Sequence, residues 1–108
     1  MPKRTVISFF NEYQPMNRIL HILKESHTPI ALEIIRQEAK VPQQEVIILL
    51  IQEAVTNAQP LNNSLKTYVL KEDLEERGLT SPPKGDYRLI DFQGMLDLLY
   101  RVDKIVTW

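Results

Sequence analysis

The chain has 108 residues, 44% of them hydrophobic, with thirteen basic and fourteen acidic side chains and a net charge of -1. That is the size of a single domain, 1–108, with its own core, and it lacks the overall basic excess common in nucleic-acid binders. There is no cysteine, which excludes disulfides, thiolate catalysis and cysteine-ligated metal.

Met1-Pro2-Lys3-Arg4 lead into Thr5–Phe10, a short strand or an apolar arm. Asn11-Glu12 end that run too early for a secretory h-region. No run approaches the roughly 20 apolar residues of a membrane span, so the expectation is a soluble cytoplasmic protein. Pro15 can open a helix, and Met16, Ile19, Leu20 and Leu23 follow at i, i+3, i+4 and i+7, which predicts a helix to about Ser26. Thr28-Pro29 is a helix start, a capping hydroxyl followed by proline at the first position. It predicts a second helix from Pro29 to about Lys40 with Ala31, Leu32, Ile34, Ile35 and Ala39 buried.

After the short Lys40-Val41-Pro42 turn comes Val46-Ile47-Ile48-Leu49-Leu50-Ile51, six large apolar residues without a break. A helix apolar on every side is buried on every side, and the chain is organised around this stretch. β-Branched content and length also suit a strand. The flanking Gln and Glu, Pro42 at a first turn, and no Gly or Pro between Gln43 and Gln59 favour a helix over Gln43–Ala58. Gln59–Ser64 is a loop. Leu65–Arg77 reads as a helix stopped by Gly78, or as a strand at Thr67–Leu70. Thr80–Asp86 is an exposed loop, and Tyr87–Ile90 a strand. Asp91 caps a final helix, about 91–104, on which Phe92, Met95, Leu96, Leu99 and Val102 form a stripe. Lys104–Trp108 is a last strand or an apolar tail. The resulting expectation is a mostly α (α+β) fold, with a three-helix core, a small hairpin or sheet and a C-terminal helix.

Three helices with a short turn, then a β-like region with a loop tip, then a long helix resemble the winged-helix/helix-turn-helix superfamily over roughly Met16 to Val102. The resemblance rests on element order. It implies a third helix that reads the DNA major groove, a wing over Thr67–Ile90 and a terminal helix that makes a dimer. The chain departs from this pattern where it matters. From Val41 to Leu65 there is no Lys or Arg, so the third helix has no cation for phosphates. Gln44 is its one adenine-reading candidate.

Two functions stay open: a small non-enzymatic regulatory or adaptor protein that binds protein, and a DNA-binding transcriptional regulator. The DNA reading uses the arm and wing, with Lys3, Arg4, Gln44, Lys84 and Arg88 as contacts. The protein reading uses Met95, Leu96, Leu99, Tyr100 and Trp108, since Tyr and Trp are enriched in interface hot spots. It predicts a homodimer through the final helix, because the stripe exceeds what one small domain covers. Trp108 is equally suited to folding back over the core. His21 and His27 are the only histidines. His21 with Glu25 makes an incomplete metal site, so both are read as ordinary surface or core-edge residues. Lys71–Arg77 reads as a solvated helix face, and the scattered Gly78, Gly85 and Gly94 build no phosphate loop. No catalytic residue, metal, cofactor or small-molecule ligand is expected.

Overall fold

A computed structural model describes residues 4–8, 17–26, 28–56, 65–80 and 87–108. They form one mixed six-stranded sheet with three helices. In chain order the elements are β1 (Thr5–Ser8), β2 (Asn17–Leu23), α1 (Pro29–Glu38), β3 (Gln44–Leu50), a 3₁₀ turn (Gln52–Val55), β4 (Lys66–Leu70), α2 (Lys71–Glu76), β5 (Tyr87–Ile90), α3 (Phe92–Arg101) and β6 (Lys104–Thr107). The strand order is β1-β6-β2-β3-β4-β5. All neighbours are parallel except β1, which runs antiparallel to β6.

Strands are as abundant as helices, and neither the mostly α fold nor the winged helix is present. The first and third predicted helices are strands. Val46–Leu50 is buried throughout because β3 lies at the sheet centre between β2 and β4. A parallel strand covered on both faces needs an unbroken apolar run, the same pattern that a helix buried on all sides would need. Met16–Ser26 fails for a related reason. Ile19, Leu20, His21 and Leu23 are all buried on β2, so neither face alternates with polar residues and the apolar spacing resembles a helical stripe. No wing hairpin forms either, since β5 runs parallel to β4 as the outer strand.

Other expectations hold. Pro29 opens α1, although Thr28 contributes its carbonyl, which accepts from Leu32 N–H at 3.0 Å, and no side-chain cap. Residues 65–77 are strand and then helix. Gly78 (φ 71°) ends α2: its N–H reaches the Glu75 carbonyl, and Leu79 N–H reaches Leu74. This double return satisfies two orphan carbonyls, and the left-handed residue favours glycine. Asp91 caps α3, accepting from Gly94 N–H at 2.7 Å.

The chain steps from β2 to β5 in one direction across the sheet, then crosses back through α3 to place β6 beside β2. Right-handed crossovers put helices of opposite stepping direction on opposite faces. One face accordingly carries α1, the 3₁₀ turn and α2, with Ile35, Val55 and Leu74 over Ile19, Ile48 and Val69. Among the described residues the other carries α3, with Leu98 and Val102 over Leu20, Ile47, Leu49 and Ile105. One helix cannot cover a six-stranded sheet, and Ile22, Ile51, Tyr68 and Ile90 on that side stay partly exposed. No helix among the described residues is long and apolar enough to cross a membrane.

Candidate functional site

Open parallel sheets place ligands beyond the carboxyl ends of their strands. Here that end carries struts. Gln52 adopts φ 51°, and its N–H donates to the Asp73 carboxylate at 2.6 Å. The Arg77 guanidinium pairs with Glu53 at 2.9 Å, and Phe92 N–H donates to Glu72 at 2.9 Å. The charged run 71–77 was expected to be a solvated face. Lys71, Glu72, Glu75 and Glu76 are exposed as expected, and three side chains of the run also tie α2 to the 3₁₀ turn and to the start of α3. Among the described residues no three His, Asp or Glu side chains are grouped to hold a metal.

The residues of the DNA reading do not converge. Lys3 and Lys84 lie outside the described residues. Arg4 precedes β1 and Arg88 is on β5, the two opposite edges of the sheet. Five strand spacings separate those edges, about 24 Å. Arg4 lies 5.7 Å from the Trp108 ring centroid, a cation–π contact. Gln44 opens β3 rather than a recognition helix, and its Oε1 is buried with no hydrogen-bond partner among the described residues. Among the described residues from Gln43 to Thr56 the chain forms a strand and a short 3₁₀ turn, with no α-helix to enter a groove.

The interface residues divide. Met95 and Leu99 pack toward the sheet beside Leu98, while Leu96 is half-buried. Tyr100 is 90% exposed and Phe92 54%. Phe92, Leu96 and Tyr100 stand at i, i+4 and i+8, so they share one side of α3. This apolar stripe is additional to the one on the sheet. Leu89 on β5, adjacent in sequence to the start of α3, is exposed as well. Gly94 lets α3 sit this close to β5: a Cβ there would lie 2.7 Å from Ile90 Cγ1.

Trp108 does not belong to that surface. It is only 5% exposed and lies on the α1 face, with its N–H donated to the Ile22 carbonyl at 3.0 Å. Its indole Nε1–H donates to His21 Nδ1 at 3.0 Å, and His21 Nε2 is 2.6 Å from Glu38 Oε2. An indole N–H is a donor only. Nδ1 must therefore accept, and the neutral ring carries its hydrogen on Nε2 and donates it to Glu38. His21 is 0% exposed. Burial holds its pKa below the ordinary value, outweighing the Glu38 carboxylate, which raises it. Sequence spacing did not point to this relay, because its members come from β2, α1 and the end of β6. Glu25, four residues from His21, had looked the nearer partner.

A comparison with curated proteins finds no match. A family model described as DsrH-like protein matches residues 27–105, from just before α1 into β6. This match and the mixed sheet overturn the winged-helix assignment, and with it the regulatory and transcriptional functions drawn from it. A family match over so much of the length, together with the sheet that it spans, places the chain in the DsrH-like family.

Proposed function

We propose that this protein is a non-catalytic subunit of a sulfur-relay complex, docked through α3 onto a partner that carries the reactive cysteine. The observation that carries this reading is a chain without cysteine in a family associated with sulfur relay. Relay of sulfane sulfur passes it between thiolates as a persulfide, and thiolate is the nucleophile in such exchange. A chain with no thiol cannot hold the persulfide, so its contribution is to bind and position a chain that does.

The α3 side suits the docking. Phe92, Leu96 and Tyr100 offer an aromatic-rich strip, the composition found at interface centres. Among the described residues, α3 is the one helix that covers the sheet beside it. A net charge of -1 and separated cations give no comparable support to nucleic acid as the docked partner.

The test is affinity purification of the tagged chain from its native cell under mild conditions. The expected result is a heteromeric complex in which mass spectrometry finds a persulfide-forming cysteine on a partner. Phe92→Ala with Tyr100→Ala should weaken that association at least tenfold, since two hot-spot aromatics each contribute over about 1 kcal/mol. Loss of the chain should lower thiolated nucleosides in tRNA, the output tied to this family. Sedimentation of the isolated chain as a stable dimer, with no cysteine-bearing partner recovered, would instead support the homodimer.

A further inference from the structure

We propose that His21, Glu38 and Trp108 form a proton-operated latch, which fastens the C-terminal end of β6 to the α1 face of the sheet and releases it when the His21 ring takes a second proton. With the ring neutral every polar atom is paired. Trp108 Nε1–H donates to Nδ1 at 3.0 Å, and Nε2–H donates to Glu38 at 2.6 Å. The two ring planes are near-parallel, with an interplanar angle of 19° and centroids 6.2 Å apart. A proton added at Nδ1 turns the acceptor into a donor facing the donor-only indole across that same 3.0 Å. The bond is lost, and two N–H groups confront each other in a site with no water-exposed surface at His21. A buried donor left unpaired costs about 1–3 kcal/mol, and two such donors together reach the range of what packing holds the indole by.

The charged groups that face the ring are Glu38 from α1, Lys104 from β6 and Arg4 ahead of β1. Glu38 favours the second proton. Lys104 and Arg4 oppose it, as burial does, and the net displacement of the His21 pKa is downward. The sign for stability follows. The unfolded chain takes the proton at the ordinary histidine value, near 6.5, and the folded chain only at a lower pH. The latch contribution is therefore complete above the unfolded value and is lost as pH falls below it. Release would also open the sheet face beside Val6, which pairs with Val106 and already stands exposed.

Trp108 is the only tryptophan, so its emission reports the latch alone. Emission and acrylamide quenching, followed from pH 8 to about 4.5 alongside far-ultraviolet circular dichroism, should show the indole becoming solvated while the backbone signal holds. The midpoint should fall below the ordinary histidine value. His21→Gln keeps an acceptor and a donor that do not titrate, and its emission should stay flat. In Glu38→Gln the carboxylate that favours the imidazolium is gone, so the midpoint should move down by on the order of one pH unit. Emission that changes only together with the backbone signal overturns the latch, as does an unaltered titration in His21→Gln. If His21→Gln does not fold, Glu38→Gln decides: an unmoved or raised midpoint assigns the titration to another group.

Discussion

An Ile48→Ala variant is expected to lose on the order of 2–5 kcal/mol of stability, a large part of what a domain of this size has. Ile48 is fully buried at the middle of β3, with His21 of β2 and Thr67 of β4 as its register partners. The backbone on both sides is held by parallel ladders. Those strands cannot move in to fill the vacated volume, which puts the site among those where a cavity persists. The melting temperature should fall by roughly 10–30 °C. Ile30→Ala is the matched control, because Ile30 is exposed on α1 and alanine has the better helix propensity. That change should stay within about 1 kcal/mol. Urea unfolding of the two variants that gave equal losses would sink the central-strand placement.

The same residue shows how far the sequence could be read. The run Val46–Ile51 marks the centre of the fold, because so long an unbroken apolar stretch calls for burial, and its first five residues are buried throughout. Its conformation was not legible. In-phase apolar residues distinguish helix from strand when one face is wet, and β2 and β3 have no wet face. Boundaries marked by backbone chemistry were legible: proline at the start of α1, Gly78 with its positive φ after α2, and the Asp91 carboxylate on the first turn of α3. These depend on a few neighbouring atoms. The error then propagated, since three helices in a row suggest a winged helix, whereas one helix between two strands suggests a parallel crossover. The α3 stripe was legible in part because it is local: Met95, Leu99 and Val102 face the sheet, whereas Phe92 and Leu96 lie on the other side of the helix and the buried Leu98 was not among the residues expected there. The His21 relay was not, because its partners meet only once the sheet has closed.

Trp108→Ala should be about as damaging as the loss at Ile48, at roughly 3–5 kcal/mol. The indole is buried among residues of the α1 face, and its removal also leaves His21 Nδ1 a buried acceptor without its donor. Trp108→Phe separates the two effects. Phenylalanine keeps much of the ring but has no N–H, so its cost should lie near the 1–3 kcal/mol of an unpaired buried polar atom. The two substitutions should also differ from wild type in pH dependence. The indole N–H stabilises only the neutral form of His21, so it helps to hold the folded pKa down. Without it the folded pKa rises toward the unfolded value, and less stability is lost as pH falls. The gap between wild type and Trp108→Phe should be widest at about pH 8 and narrow below about 6.5. Urea unfolding followed by circular dichroism at those two pH values measures it directly. A gap that widens in acid would mean that the indole is not bonded to an unprotonated Nδ1, and that His21 is held neutral by burial alone.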